Sequence, residues 1–329
     1  MSRWALLCTL GLVCAGLLGC GEDESSPAAD NPALEAARAP NADLFPPAAG
    51  RSLQQLADTA RPGAQLAPAT SRYVVGENRL AFGLLDQQQR FLYAPTAVYV
   101  GEDPNSAAQG PFLAPADSLI TEPAFRSKQA ALEGDVIASI YSTEIPLARA
   151  GKHSLLVLSS VGGELLGATA ELEALADDPI PAPGEPAPAR VQTETLAEAG
   201  DPELIETREP ADQMHGSDFA ELLGERPVAL LFASPALCES RVCGPVTDIA
   251  AQLQEEYGDR VEFIHQEPYV DNDLRKGVRE PLRAFNLQTE PWLFTFNAEG
   301  RVAARLEGSF GIAAFEEAVL AALGGGGQS

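Results

Sequence analysis

The fold of this chain is decided by the stretch Phe232-Ala-Ser-Pro-Ala-Leu-Cys238-Glu-Ser-Arg-Val-Cys243-Gly-Pro-Val246. The apolar run that leads into it, Val228 to Ala233, predicts a buried strand of a parallel sheet. Apolar residues at helical spacing predict a helix over Pro245 to Tyr257, which Gly258 would end. Two thiols therefore lie between a strand end and a helix start, where unpaired backbone N–H groups and the helix dipole favour a thiolate.

The composition limits the possible partners. The chain has 329 residues, enough for two domains. With 22 Lys and Arg against 47 Asp and Glu, the net charge is −25. No basic run offers the phosphate neutralisation on which nucleic-acid binding depends. The composition therefore argues against a nucleic-acid partner, and the acidity favours solubility.

The N-terminus is typical of an export signal. The apolar stretch from Trp4 to Leu18 is too short to span a bilayer and has the length of a signal h-region. It ends in Leu17-Leu18-Gly19-Cys20, which resembles a bacterial lipobox, the motif whose cysteine is alkylated by diacylglycerol before cleavage makes it residue one. The resemblance implies a signal peptide over 1–19 and a protein that is exported and lipid-anchored to the bacterial cell envelope through Cys20. Plain cleavage near Gly19, with an incidental cysteine, is the alternative.

Export changes the cysteine count. Cys8 and Cys14 would leave with the signal peptide, and Cys20 would carry lipid. Only Cys238 and Cys243 would remain as thiols, and an exported pair this close is expected to form a disulfide. The sequence leaves open whether that bond is structural or cycles between oxidised and reduced forms.

Three segments precede the cysteine domain. Residues 20–70 show little apolar periodicity and predict a disordered tether with a short helix near Ser52 to Ala60. Residues 71–175 contain short β-like runs separated by turn residues, which predict an antiparallel β-sandwich with a binding or spacer role. Residues 176–209 are proline-rich and predict an extended linker.

One corner of the predicted sandwich carries a resemblance. The segment Pro146-Leu-Ala-Arg-Ala-Gly151-Lys-His-Ser-Leu is similar to the proline, glycine and aromatic corner that precedes a late strand in immunoglobulin-like domains. His153 stands where an aromatic residue is usual. The resemblance implies an all-β immunoglobulin-like sandwich, and His153 is expected to be a packed corner residue rather than a ligand.

Residues 210–325 carry the second resemblance. Their pattern predicts strand, helix and strand, then a helix and a hairpin, then a closing helix over Ile312 to Leu323. With Cys243-Gly244-Pro245 and the segment Leu287-Gln-Thr-Glu-Pro291-Trp-Leu-Phe, this order resembles a thioredoxin-fold domain, and the whole chain resembles secreted bacterial thioredoxin-domain proteins. The resemblance implies an α/β thioredoxin-like fold in which Pro291 is cis and faces the cysteine pair.

The sequence departs from the thioredoxin pattern in three ways. Four residues separate Cys238 from Cys243 instead of two, so the loop must curl to bring the pair within disulfide range. The strand position where thioredoxins bury an acid reads Leu230-Leu231-Phe232. Glu239 and Arg241 have opposite charges, so the direction of their effect on the thiolate pKa stays open.

The leading functional hypothesis is thiol-disulfide exchange with protein thiols and disulfides of the cell envelope, without a cofactor or metal. Its catalytic residues would be Cys238, Cys243 and Pro291, with Pro291 positioning the substrate backbone. Cys243, at the helix start, is expected to be the attacking thiolate. The more solvent-facing loop position of Cys238 keeps the opposite assignment open.

Three alternatives compete with exchange. The disulfide is equally compatible with a permanent staple in a non-catalytic thioredoxin-like binding module. Copper handling, by analogy with Sco-type proteins, would combine the cysteine pair with His265 and with the loop segment Met214-His215. A peroxidase is disfavoured because no threonine lies closely ahead of Cys238.

Overall fold

The computed structural model of the protein describes residues 31–131, 137–188, 190–238 and 241–324. The predicted signal peptide and the predicted lipid anchor at Cys20 lie outside these ranges. No helix within the described ranges combines the length and the apolar character that crossing a bilayer requires.

Strands outnumber helices in the described ranges. The strands are β1 (Arg61–Pro62), β2 (Gln65–Pro68), β3 (Tyr73–Val74), β4 (Gly76–Leu85), β5 (Thr96–Gly101), β6 (Gln109–Leu113), β7 (Ala116–Ser118), β8 (Ser139–Leu147), β9 (Gly151–Val161), β10 (Glu164–Leu175), β11 (Val228–Phe232), β12 (Glu262–Gln266), β13 (Trp292–Phe296) and β14 (Val302–Glu307). The α-helices are α1 (Pro32–Arg38), α2 (Leu53–Ala57), α3 (Lys128–Ala131), α4 (Leu196–Ala199), α5 (Phe219–Leu222), α6 (Cys243–Tyr257), α7 (Glu280–Ala284) and α8 (Ile312–Ala322). The protein is therefore mixed α/β, as the two-part prediction implied.

The C-terminal sheet has the strand order β12-β11-β13-β14. β11 pairs with β12 in parallel and with β13 antiparallel, and β13 and β14 form an antiparallel hairpin. The elements follow one another in the predicted order, and α6 begins at Cys243, two residues before the predicted start. The central strand β11 therefore ends where the cysteine loop begins.

β11 is apolar at every position because the sheet is covered on both faces. Val228, Leu230 and Phe232 point to one side, into a core rich in aromatic rings that also contains Phe285 and Phe294. The alternate residues Ala229 and Leu231 face the other core, which includes buried residues of α6 and α8. This double burial holds the end of β11 rigidly.

The N-terminal half contains two sheets. One has the order β1-β10-β9-β5-β6, with β3 also on β10, and the other has the order β2-β4-β8-β7. The long hairpin of β9 and β10 turns at Gly162 and Gly163, whose φ angles of 60° and 85° suit glycine. The predicted antiparallel arrangement is wrong for β3, which pairs with β10 in parallel, and β1, from the predicted tether, also pairs with β10 in parallel.

Part of the predicted disordered tether is folded. From Pro32 onward the chain belongs to one compact unit. Phe45, Leu53 and Leu56 are buried against Tyr99 and neighbouring residues of the first sheet. The predicted short helix is present as α2, and Ser52 caps it through a reciprocal pair of hydrogen bonds with Gln55. The prediction of disorder is therefore wrong for residues 32–70.

The predicted linker is also packed. Ile180 and Val191 are buried in the aromatic-rich core of the C-terminal sheet. Asp178 forms ion pairs with Arg72 and with Arg305, one from each half of the chain. Proline content predicted an extended spacer, but over the described residues of 176–209 these apolar and charged anchors hold the segment against the surface.

The two halves share an interface. Ala81 and Ile140 of the N-terminal sheets belong to the same buried core as α6 and α8. The Glu307 carboxylate accepts hydrogen bonds from the backbone N–H groups of Ser71 and Arg72. At Gly308, where φ is 70°, a Cβ atom would meet the carbonyl oxygen of Ala69 at 1.6 Å, so the close approach requires glycine.

Candidate functional site

The predicted disulfide is present. Cys238 and Cys243 are bonded, and their Cα atoms lie 6.1 Å apart. The loop between β11 and α6 therefore curls as the four-residue spacing required. Cys243 is fully buried, whereas Cys238 is half-buried, so Cys238 offers the more accessible sulfur.

Cys243 is the first residue of α6. The residue before it, Val242, gives the helix no side-chain cap. The first N–H groups of the helix and its dipole therefore act on the Cys243 sulfur without a capping oxygen from Val242. When the disulfide is reduced, this position favours the thiolate form of Cys243.

A carboxyl group lies next to the disulfide. The peptide bond between Glu290 and Pro291 is cis, as predicted. Oε2 of Glu290 lies 4.0 Å from Sγ of Cys243, and Oε1 accepts a hydrogen bond of 3.0 Å from the Tyr269 hydroxyl. The structure thus brings the loop of Pro291 to the cysteine pair and places an acid next to the buried sulfur.

Glu290 titrates close to neutral pH. Burial raises the pKa of Glu290 to about 7, the hydrogen bond from Tyr269 opposes this, and the charge of Glu267 adds to it. A carboxyl group with such a pKa can both accept and release a proton at neutral pH. A pKa in this range suits a group that exchanges a proton with the Cys243 thiol.

A second buried acid follows β12. Glu267 is fully buried, and its Oε1 accepts hydrogen bonds from the Thr207 backbone N–H at 2.9 Å and from the Thr207 hydroxyl at 2.5 Å. Burial raises the pKa of this carboxyl. Thr207 also accepts a hydrogen bond from the backbone N–H of Ala236, in the cysteine loop. A buried acid therefore lies at the end of β12 and is connected to the cysteine loop through Thr207.

His265 joins a polar cluster at the same end of the sheet. Its Nδ1 lies 2.8 Å from Oδ2 of Asp212, and its Nε2 lies 2.9 Å from the carbonyl oxygen of Ala233. Both oxygens accept, so both ring nitrogens donate and the ring is charged. Burial disfavours that charge, but the charge and hydrogen bond of Asp212 outweigh it and raise the pKa of His265 to about 10. The same interaction holds the pKa of Asp212 below its usual range despite burial.

His215 and Glu206 complete the cluster. The two histidine rings lie 4.9 Å apart between centroids. Nε2 of His215 lies 3.3 Å from Oε2 of Glu206 and 3.6 Å from Oδ1 of Asp212. We call Glu206, Asp212, His215 and His265 the histidine-carboxylate cluster; one potential ligand atom from each lies within 4.8 Å of all the others.

A pocket of about 510 Å³ reaches Val242, the residue before Cys243, and Glu290. Ala67, Phe91 and Ile140 line it from the N-terminal half, and Val242 and Glu290 line it from the cysteine side. Thr70, Arg241, Thr289 and Glu307 add polar and charged groups to the same lining. The two halves of the chain therefore form a concave surface next to the cysteine pair.

The predicted site residues have different outcomes. Cys238, Cys243 and the loop of Pro291 come together, whereas both ring nitrogens of His265 are directed to Asp212 and Ala233 instead of the cysteines. That arrangement gives no support to copper handling by the cysteines with His265. His153 is buried, with Nε2 2.8 Å from the Arg149 carbonyl oxygen, as a packed corner residue.

Sequence reasoning missed Glu290 and the two carboxylates of the histidine-carboxylate cluster, whereas it named both histidines as candidate copper ligands. Glu290 was identifiable, since it directly precedes the proline predicted to face the disulfide. Glu206 and Asp212 had no comparable signal, because they lie in an irregular segment without periodicity. Their juxtaposition with His265 depends on the packing of that segment against β12.

Comparison with protein-family models gives no match, and comparison with curated proteins gives none either. The geometry of the chain itself therefore indicates its function.

Proposed function

We propose that this chain is a thioredoxin-like thiol-disulfide exchange protein that acts through Cys238 and Cys243. The observation that carries the proposal is the arrangement of the disulfide. A half-buried sulfur is bonded to a buried sulfur at a helix N-terminus, and a carboxyl group lies 4.0 Å from the buried one. The order of strands and helices around this loop supports a thioredoxin-like fold, and the N-terminal sheets are compatible with an immunoglobulin-like sandwich.

The accessible sulfur takes part in the first step. A substrate thiolate attacks Sγ of Cys238, forming a mixed disulfide and breaking the bond to Cys243, which leaves as a thiolate. The helix N-terminus stabilises that leaving thiolate. In the reverse direction the Cys238 thiolate attacks a substrate disulfide, and Cys243 then attacks Cys238 and releases the substrate. The exposure of the two sulfurs thus favours Cys238 over Cys243 as the attacking residue.

Glu290 is the proton acceptor for Cys243 in this scheme. Resolution of the mixed disulfide requires the Cys243 thiol to lose its proton, and the Glu290 carboxylate is the group placed to receive it. A pKa of about 7 makes the carboxylate available at neutral pH. Glu290 therefore replaces the strand acid that the thioredoxin pattern would have supplied.

The residues that line the pocket indicate which class of substrate it binds. Its apolar residues Ala67, Phe91 and Ile140 suit an apolar side chain of a substrate protein, and its polar residues, among them Arg241 and Glu290, suit the backbone or polar groups around it. The N-terminal half would then select substrates, while the C-terminal half carries out exchange. Protein thiols and disulfides of the cell envelope are the expected partners.

A redox titration tests the proposal. Mature protein is equilibrated in a glutathione or dithiothreitol series, alkylated, and analysed by mass spectrometry of the Cys238 and Cys243 peptides. Exchange predicts a potential between about −270 and −120 mV. Cys243→Ser should trap a mixed disulfide at Cys238, and Cys238→Ser, the matched variant, should trap little because Cys243 is buried.

A structural staple is the second candidate, and the complete burial of Cys243 is the observation that favours it. A staple predicts a potential below about −300 mV and reduction only on unfolding. Those results would contradict exchange and assign the protein a binding role at the pocket.

We also propose export and lipid anchoring through Cys20, on the sequence Leu17-Leu18-Gly19-Cys20. Metabolic labelling with an alkyne fatty acid should mark the wild-type chain and not Cys20→Ser. Labelling that persists in Cys20→Ser would contradict the anchor.

A further inference from the structure

We propose that the histidine-carboxylate cluster is a binding site for a divalent transition-metal ion, with Zn²⁺ as the test ion. Its four members are one glutamate, one aspartate and two histidines, which are common zinc ligands. The site is separate from the disulfide, and the inference does not depend on the proposed exchange activity.

The donor spacing is suitable for a metal. Zn²⁺ binds nitrogen and oxygen at about 2.0–2.2 Å in tetrahedral geometry, which separates neighbouring ligand atoms by roughly 3.4 Å. Nε2 of His215 lies 3.3 Å from Oε2 of Glu206 and 3.6 Å from Oδ1 of Asp212. All four donors lie within 4.8 Å of one another, so small side-chain adjustments suffice to enclose an ion.

The histidine on β12 is oriented as a ligand. Nε2 of His265 donates to the carbonyl oxygen of Ala233, which leaves Nδ1 directed at Asp212 and the cluster. Metal-binding histidines commonly donate their second ring N–H to such a carbonyl, and this bond fixes the ring. When the ion binds, Nδ1 loses its proton to solvent and coordinates the metal, while the bond to Ala233 remains.

Backbone N–H groups hold the two carboxylates. Glu206 accepts from the backbone N–H of Arg208 at 2.6 Å and from that of Asp212 at 2.9 Å. Asp212 accepts from the backbone N–H of Met214 at 2.8 Å. Outer contacts of this kind preorganise ligands and strengthen metal binding.

His215 provides an independent indication of a ligand. It is 2% exposed, and among the described residues its Nε2 has no hydrogen-bond partner although it points into the cluster. A buried polar atom without a partner is costly, and a metal ion would satisfy this nitrogen.

The charge of the cluster also favours a divalent cation. Among the described residues, neither Glu206 nor Asp212 forms an ion pair with a lysine or arginine. The nearby Arg208 guanidinium is directed instead to Asp248 and to the carbonyl oxygens of Phe125 and Pro210. Two carboxylates and two neutral imidazoles would balance a divalent ion.

Such an ion would connect two parts of the chain. Three ligands lie on the irregular segment from Glu206 to His215, and His265 lies on β12, next to the strand that leads to the cysteine loop. Four protein ligands close the coordination sphere, as in structural zinc sites. Nitrogen and oxygen donors favour Zn²⁺ over Cu⁺, which prefers thiolates.

The test uses the full mature chain with its disulfide intact. The protein is treated with a chelator, mixed with Zn²⁺, passed over a desalting column and analysed by inductively coupled plasma mass spectrometry, with affinity measured by competition against a chromophoric chelator. One zinc ion per chain is expected. His215→Ala should weaken binding by about 100-fold or more, and Glu206→Gln, close in shape to the original, should weaken it in the same direction. His153→Ala is the matched control and should bind like wild type.

Three results would overturn the site. The wild type could bind no zinc at stoichiometric concentration, or His215→Ala and Glu206→Gln could both bind as tightly as wild type. Because an intact disulfide does not bind zinc, zinc that binds the reduced wild type but neither the oxidised wild type nor the double variant Cys238→Ser/Cys243→Ser would assign the ion to the cysteines instead. Zinc binding that persists in this double variant supports the cluster, whatever the outcome of the redox titration.

Discussion

Two polar groups lie at the same end of the C-terminal sheet, and they differ in access. Glu290, next to the buried sulfur of Cys243, lines a pocket, and Cys238 is half-buried. The histidine-carboxylate cluster is closed, with His215 and His265 at most 2% exposed. Accessible groups suit reactions with another molecule, whereas a closed, charged cluster suits holding an ion or the fold. The difference implies that the cysteine pair carries the proposed exchange reaction, whereas the histidine-carboxylate cluster at the neighbouring strand has a structural role.

The largest expected effect is at the open group. Cys238→Ser and Cys243→Ser should each abolish turnover of a disulfide substrate, because neither can re-form the bond. Loss of this short cross-link should also reduce the free energy of unfolding by about 2 kcal/mol. Turnover of a fluorescent dithiol peptide and chemical denaturation measure the two effects. Full turnover in either variant would show that the disulfide takes no part in turnover and would contradict the proposed exchange reaction.

At the closed group, the substitution Asp212→Asn should destabilise the fold. It leaves the buried imidazolium of His265 without its counter-ion, which costs about 3–5 kcal/mol. The control is Asp86→Asn, which changes a carboxylate of a surface pair with Arg90 and should alter stability little. Denaturation midpoints of metal-free protein provide the comparison. Equal and small changes in the denaturation midpoint for the two variants would show that the cluster contributes no more to stability than a surface ion pair.

A third prediction concerns pH at the open group. Glu290 has a pKa of about 7 in the fold against an ordinary value of 4.5. Resolution of the mixed disulfide should therefore accelerate as pH rises through about 7, as the carboxylate becomes available. Glu290→Gln should be slower on the order of 100-fold above that pH, and its rate should rise only as the Cys243 thiol itself loses its proton. Stopped-flow measurement of the resolution rate tests this.

A rise in pH should increase the resolution rate through Glu290, but it should decrease the contribution of Glu290 to stability. Between pH 4.5 and about 7 the folded protein retains a proton on Glu290 that the unfolded chain has released. The contribution of Glu290 to the free energy of unfolding therefore falls as pH rises through this window. Glu290→Gln should lack that fall. A wild type and variant with parallel stability profiles would contradict the raised pKa.

The sequence was informative where burial is local and continuous. β11 and α6 were predictable because apolar residues recur at strand or helix spacing, and the disulfide followed from two nearby cysteines in a chain predicted to be exported. Residues 32–70 were predicted as disordered because their few apolar side chains, such as Phe45 and Leu56, find partners only on strands far along the chain. The small number of apolar residues was misleading, because each of these side chains is buried and holds the segment against the sheet.

The same reasoning applies to the two polar groups. The open one was largely predictable, because Cys238, Cys243 and Pro291 carry motif signals. The closed one was not, since Glu206 and Asp212 meet His265 only through tertiary packing, and carboxylates in an irregular segment are ordinarily solvated. Clusters assembled by long-range contacts leave little trace in local sequence.

The smallest expected effect tests whether the two groups are coupled. The Thr207 hydroxyl donates to Glu267 and accepts from the backbone N–H of Ala236, so it connects the segment that carries the cluster to the cysteine loop. Thr207→Val removes both bonds and should cost about 1–3 kcal/mol, while Thr207→Ser keeps the hydroxyl and should cost less. If the connection orders the loop, Thr207→Val should also increase the rate at which dithiothreitol reduces the disulfide in the native state, measured by alkylation. An unchanged reduction rate alongside the loss of stability would show that the open and closed groups act independently, despite sharing one end of the sheet.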